Sequence, residues 1–597
     1  MIRYFLLLVF IASLLFANDK DVVFQKVLQT AKEKNISDTI YWRKLLHMNN
    51  DSNTSEIKQK FFFLSKTNND AQKELEYSLN SFLNNKTLDS NESAICKYGA
   101  RFKFLDKELN LSQYIDMPSC AKRDKFMDTL NTNSISVVYS SAFINSPASQ
   151  VGHTFLKIDN KVSDVESYSV NYGARPEQDD NVLIYMFKGL FGGYDGTFDI
   201  IRYSKKIEEY AGSEQRDLYE YKLNLNQDEV ENVLLHLYEI YDTPKPYLFI
   251  NKNCSYQILW LIQVSKNKLS LTDKFAVEVT PVETLRLLKK QNLITFNNFR
   301  PSMHDEINFV YDNTLSDFEK DILLDNNFTD IFQKNIKNIK NKSSLLDTKI
   351  RYVRYNYLKK NIQKKKYISQ YMKLLRMRAK EATIKNSIII KRDNILDNHR
   401  AKNIKISALK ANKKNSLMLS YSSAYHNIKD FETTLDNGYI NYFAIDYVLN
   451  EENQYIKRFN ILDIKSYANS TKLFPKISWE VQVDYSSKFL ENSKRHYNLK
   501  LGIGKSYNIN NNLKYYAMIS PIVSIGKDQR ALQLENGVIY INQDIKIGAK
   551  YSYRKEKQYH NILNVFINKP LSTNSALIFS YDKKNDEEYL LSYSYYF

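Results

Sequence analysis

The last third of the chain constrains its fold more than any other stretch. After Lys414, apolar and polar residues alternate with period two. Ile477, Trp479, Val481 and Val483 interleave with Ser478, Glu480, Gln482 and Asp484, and Leu499, Leu501 and Ile503 with Lys500, Gly502 and Gly504. Such a period places one set of side chains on each face of a strand. Segments of about ten residues, divided by Asn-, Asp-, Lys- and Gly-rich turns, repeat the pattern down to Phe597. Residues 415–597 also hold 21 of the chain's 45 Tyr, the enrichment expected of aromatic girdles at two membrane interfaces. On the final segment Leu591, Tyr593, Tyr595 and Phe597 share a face, with Ser592, Ser594 and Tyr596 on the other. The pattern predicts an antiparallel transmembrane β-barrel of about ten to twelve strands. A soluble β-sandwich is the alternative with the same alternation.

The opposite end sets the compartment. Met1-Ile2-Arg3 is a short basic start, Tyr4–Ala17 is an apolar run, and Asn18-Asp19-Lys20 turns polar. Residues 1–17 therefore read as a signal peptide, since the run is too short for a membrane span. The expected location is a bacterial outer membrane, with the domains before the barrel in the periplasm. The net charge of +18 is concentrated: residues 351–414 carry 20 Lys and Arg against Glu381, Asp393 and Asp397, a net +17. Nucleic acid is excluded as a partner because an exported chain does not meet it. That leaves anionic lipid head groups, or a merely solvated helical face.

Between these ends the period changes twice. Phe24, Val27, Leu28 and Ala31 follow i, i+3, i+4, i+7 spacing, which predicts a helical N-terminal domain over 18–128. Residues 129–305 mix strand-like runs (135–139, 154–158) with helical ones (226–241, 253–264). Thr280-Pro281-Val282-Glu283 reads as a capping box opening another helix. A basic helical connector over 306–414 and the barrel over 415–597 complete a multidomain α+β and all-β chain.

The chain has three Cys. In an oxidising compartment Cys96 and Cys120, 24 residues apart, are predicted to pair, leaving Cys254 as the odd thiol. Cys254 opens a predicted helix with Asn253 at its N-cap. There the unpaired backbone N–H groups and the positive dipole end favour a thiolate. The same N–H groups can hold an oxyanion, and an imidazole such as His153 would complete the activation. A small buried hydrophobe is the plainer reading of Cys254. No His or Cys cluster suggests a metal, and no motif implies a cofactor; the Gly189–Gly196 segment lacks the Lys-Ser/Thr of a phosphate loop.

Five motifs carry a resemblance. They are Gly152-His153-Thr154-Phe155-Leu156, Asn171-Tyr172-Gly173-Ala174, the run Gly189–Tyr194, Glu214-Gln215-Arg216-Asp217 with Tyr219-Glu220-Tyr221, and Asn253-Cys254-Ser255-Tyr256. In order and spacing this region resembles the Lnb-type periplasmic domain of a bacterial lipoprotein N-acyltransferase. The resemblance implies a circularly permuted papain-like fold, with His before Cys as in the lecithin:retinol acyltransferase group. It implies Cys254 as nucleophile and His153 as base. Asn171, chosen over Tyr168 on the following strand, is the expected third residue. Asn253 and Ser255 are expected at the oxyanion, and Phe191 and Tyr194 over an acyl chain. The family's best-known members carry transmembrane helices after this domain, where this chain has barrel-like sequence. The expected function is an envelope cysteine acyltransferase using a membrane phospholipid as acyl donor, with lipoprotein N-termini as one acceptor. A cysteine peptidase or amidase acting on peptidoglycan, and a non-enzymatic outer-membrane barrel protein, are the alternatives.

Overall fold

The computed structural model describes residues 19–49, 52–142, 151–175, 180, 184, 188–189, 192–275, 278–381, 390, 392–411, 414–433, 435, 438–451, 453–486, 496–525, 529–556, 558–584 and 586–597. The predicted signal peptide lies outside them. The chain divides into two compact units, with the main boundary between Arg300 and Pro301.

The first unit is built on a seven-stranded antiparallel sheet. Its strands are β1 (Thr132–Ser140), β2 (His153–Asn160), β3 (Tyr168–Ala174), β4 (Tyr194–Arg202), β5 (Leu218–Leu223), β6 (Lys245–Tyr247) and β7 (Ile294–Arg300), in the order β6-β4-β3-β2-β1-β5-β7. β1 and β2, in the middle, are buried along nearly their whole length. The helices Gln227–Ile240 and Cys254–Gln263 cover the sheet, and all ten residues of the second are buried. Their starts are fixed locally, by Asn226 accepting from Glu229 N–H and Asn253 accepting from Tyr256 N–H. Thr280 caps Pro281–Lys290 in the same way.

The N-terminal helices do not stand apart from this sheet. Val27, Leu28 and Ala31 are buried along Asp19–Glu33, and the helical region continues into one core with the α/β part. A buried polar network joins them. His47 Nε2 lies 3.0 Å from His236 Nε2, and His236 Nδ1 lies 3.1 Å from Glu239. Glu239 in turn accepts from the N–H groups of Ala100 and Arg101, which open the helix Gly99–Leu109. Arg101 and Glu74, both fully buried, form an ion pair of 2.8 Å. Removing one partner of such a pair leaves an uncompensated charge. The helical region expected over 18–128 is present and shares one compact unit with the sheet. Amphipathic spacing shows which faces are apolar, not what covers them. Cys96 and Cys120 are bridged, with Cα atoms 5.2 Å apart.

The second unit begins with helices, among them Met303–Asn313, Lys342–Leu358 and Lys364–Arg378. Twelve antiparallel strands follow among the described residues, from β8 (Lys402–Ala411) to β19 (Glu587–Tyr596), and β19 pairs with β8 to close a barrel. The barrel therefore starts inside the stretch read as connector. In β8 the lysines Lys402, Lys405 and Lys410 mask an alternation in which Asn403, Ser407 and Leu409 are buried while Ile404 and Ile406 are exposed. The outward side chains are mostly apolar, while the inward ones mix polar residues with apolar ones such as Leu409, Met418 and Ile539. On β13 (His496–Asn508) Tyr497, Leu501 and Ile503 are exposed and Asn498, Lys500 and Ser506 are buried. On the last strand Leu591, Tyr593 and Tyr595 point out, and Ser592, Ser594 and Tyr596 in.

The lumen is filled. Lys500 bridges Glu480 at 2.6 Å and Glu535 at 3.4 Å, and Lys550 meets Glu535 at 3.2 Å. Tyr516 and Tyr467 stack across the lumen at 4.2 Å. Gly537 makes this possible, since a Cβ there would lie 2.2 Å from the Tyr516 ring. One end is stoppered by the connection after β9 (Lys414–His426). Lys546 Nζ donates to Asp430 O and to Glu432, Tyr596 OH donates to Asp430, and Asn568 donates to Lys429 O. Phe431 and Leu435 join the lumen core beside Tyr439 and Ile539.

Candidate functional site

His153 is the first residue of β2, and Cys254 is the first of the helix that packs on β2 and β3. Gly152 sets the imidazole's entry: its φ is +93°, and a Cβ there would sit 2.4 Å from the Tyr139 ring. Only glycine fits both demands. The register Leu156↔Val170 places Asn171 on the same sheet face as His153, and Asn171 Oδ1 is hydrogen-bonded to His153 Nε2. Nδ1 is thereby left for the thiol. Phe155 and Tyr210 flank the imidazole, with ring centroids 6.2 and 5.8 Å away.

The thiol is buried, and burial alone would raise its pKa. Opposing this, the charge and hydrogen bond of His153, the Thr154 N–H and the Ser255 hydroxyl all stabilise the thiolate. The balance brings Cys254 down from 9.0 to about 7. A buried thiol poised near neutrality beside an oriented imidazole is the arrangement nucleophilic catalysis needs. The first-turn N–H groups of Cys254 and Ser255 have no carbonyl four residues back within their helix, so they are free to face a developing oxyanion.

The other expected residues take different places. Asn253 is committed to the helix start: its amide donates to Val279 O at 2.7 Å and Phe249 O at 3.0 Å while its oxygen caps Tyr256. Ser255 Oγ lies 2.6 Å from Thr154 Oγ1 and 3.8 Å from the thiol. Tyr194 is buried at the start of β4, its hydroxyl on Asp180. Phe191 lies outside the described residues. The Thr154–Ser255 contact was not read from the sequence. It ties β2 to the helix one residue beyond His153 and Cys254, and its only signal is that each partner follows a chemically active residue. Lys245 also escaped notice. It is wholly buried, donates to Gln257 at 2.8 Å, and burial lowers its pKa to about 7. Among the described residues no group of three or more His, Cys, Asp or Glu could hold a metal.

Residues 122–291 match the family of the Lnb N-terminal periplasmic domain. Residues 396–596 and 34–108 match two domains of unknown function, DUF7840 and DUF7843. No curated protein matches the chain. Solved structures similar to the barrel include the KdgM porin, at 13% identity over 33% of this chain and 99% of that one, with a TM-score of 0.23. The NanC porin is similar at 6% identity over 32% and 100%, TM-score 0.23. The outer membrane channel DcaP of Acinetobacter baumannii is similar at 8% over 33% and 96%, TM-score 0.19. The matched domain and the closed barrel with its apolar outer face together make this chain an outer-membrane β-barrel protein carrying an Lnb-type periplasmic domain.

Proposed function

We propose that the first unit is a cysteine-dependent acyltransferase that takes its acyl group from a membrane phospholipid. The observation that carries this reading is the chain Cys254–His153–Asn171, in which three neighbouring elements deliver a thiol, an imidazole and an orienting amide in sequence. The Cys254 thiolate attacks an ester carbonyl of the donor, forming a C–S bond and an oxyanion held by the first-turn N–H groups. Collapse breaks the C–O bond, and the His153 imidazolium gives its proton to the departing lysophospholipid alkoxide. An amine, such as a lipoprotein N-terminus, then attacks the thioester. Its proton passes to His153, the C–S bond breaks, and an amide and the free enzyme result. Asn171 holds the ring so that one nitrogen always faces the sulfur.

The test is intact-mass measurement of the full chain in detergent after incubation with a phospholipid of defined acyl chains. A gain of one acyl group, removable by hydroxylamine and absent from Cys254→Ser, is expected. No gain, or the same gain in the Ser variant, sinks the proposal. Release of free fatty acid without acylation of an added amine would assign a hydrolase instead.

A further inference from the structure

The helix Lys364–Arg378 has an unusual composition for its position. It holds six cationic residues and no acidic one. One side packs inward through Leu374, with Tyr367 and Met377 against the same cluster. Arg378 pairs with Asp347 at 2.8 Å, and Lys373 approaches Asp330 at 3.8 Å. Lys364, Lys365, Lys366 and Arg376 have no ion-pair partner among the described residues.

The outer side is not a plain solvated face. Ile368, Met372 and Leu375, at i, i+4 and i+7, are 47%, 45% and 38% exposed. That spacing draws one stripe along the helix. By the 100° turn per residue, Lys364 borders the stripe on one side and Lys365 and Arg376 on the other. A stripe of apolar side chains fringed by unpaired cations is the composition of a helix lying in the head-group region of an anionic leaflet.

The fold fixes where this helix can act. Its core cluster includes Leu473 and Phe474, which lie in the connection between β11 (Gln454–Ser466) and β12 (Ser478–Ser486). β11 is the fourth strand of the barrel, and neighbouring strands run antiparallel, so this connection emerges at the rim where β8 begins. With twelve strands, β19 ends at that same rim. The helical cluster is therefore fastened to the barrel mouth from which the periplasmic part of the chain departs.

The geometry points to a docking surface: the stripe Ile368–Met372–Leu375 with Lys364, Lys365 and Arg376 seats on the periplasmic leaflet of the outer membrane by binding anionic phospholipid head groups. This goes beyond the acyltransferase reading and does not require turnover. Under that reading it would hold the enzyme at the leaflet that supplies the donor.

The test uses the full chain with Cys254→Ser, so that a nitroxide attaches only at Ile368→Cys, Met372→Cys, Leu375→Cys or Lys366→Cys. In vesicles of phosphatidylethanolamine with phosphatidylglycerol, labels at 368, 372 and 375 should gain oxygen collisions and lose collisions with a water-soluble nickel reagent. The label at 366 should stay open to nickel. The combined Lys364→Glu, Lys365→Glu and Arg376→Glu variant should lose this contrast, its unheated gel mobility showing that the barrel is intact. Equal nickel access at all four sites would overturn the proposal, as would seating that is unchanged in phosphatidylcholine alone or in the charge-reversed variant. Protection from both reagents would overturn it in favour of a protein partner.

Discussion

Cys254 and His153 are 101 positions apart, and what makes them a pair is that one begins a helix and the other begins the strand beneath it. The pKa of the thiol gives the first prediction at this scale. Its value of about 7 lies below the ordinary 9.0, so the thiolate is present above neutrality and lost as pH falls through 7. Alkylation of Cys254 by iodoacetamide should rise with a midpoint near pH 7. In His153→Gln the burial, the Thr154 N–H and the Ser255 hydroxyl remain while the imidazole's support is gone, so the midpoint should move up. An unchanged midpoint would show that the imidazole does not reach the sulfur. Asn171→Ala removes only the orienting bond. It should slow thioester formation by about 10- to 100-fold, at or below the lower end of the roughly 100- to 10,000-fold that positioned acid–base groups contribute, with little change in thermal midpoint. A pH–rate profile distinguishes this from unfolding.

Elements are held to one another by a few contacts whose loss is measurable. Thr154 and Ser255 bond hydroxyl to hydroxyl where both are nearly inaccessible. Thr154→Val keeps the shape and leaves the Ser255 hydroxyl only the Cys254 sulfur at 3.8 Å, which should cost about 1 kcal/mol. Ser255→Ala together with Thr154→Val should recover part of that loss, a pattern that a double-mutant cycle by denaturant unfolding would show. The bridge between Cys96 and Cys120 closes a loop of 24 residues. The chain-entropy model gives such a loop roughly 3 kcal/mol, and a free-thiol count on denatured, unreduced protein should find one thiol. In the barrel wall, Tyr593 faces outward and Ser594 lies wholly buried in the lumen. Tyr593→Arg should cost about 2–4 kcal/mol if the site is near the bilayer midplane. A charge at Ser594 is not the harmless change that a water-filled barrel would allow, because this lumen is packed.

That packing sets the expectation for the whole molecule. Among the described residues, lumen groups such as Lys500, Glu480, Glu535, Ser520 and Lys546 are buried to within a few per cent, so they present almost no surface to water. The barrel should behave as an anchor. Full-length protein in a planar lipid bilayer should show no unitary conductance, whereas Lys546→Ala combined with Asp430→Ala should produce openings by freeing the stopper at the mouth. Steady currents from the unaltered chain would refute the closed lumen.

Much of this was legible in one dimension. Alternation of period two depends only on the pleat of a strand, so the outward Leu591, Tyr593 and Tyr595 and the inward Ser592 and Ser594 could be assigned residue by residue. Helix starts were legible for the same local reason: Asn226, Asn253 and Thr280 satisfy N–H groups within three residues of themselves. A motif spaced along the chain likewise singled out Cys254, His153 and Asn171. Tertiary structure decided what each surface meets. It placed the N-terminal helices against Gln227–Ile240, since an apolar stripe specifies burial and not its partner. It began the barrel at Lys402, where lysines at the strand ends hide the period. It turned the loop after β9 into the lumen, a placement set by Lys546, Asn568 and Tyr596, more than a hundred residues further on. Contacts between distant residues depend on register and closure, and neither is written in local spacing.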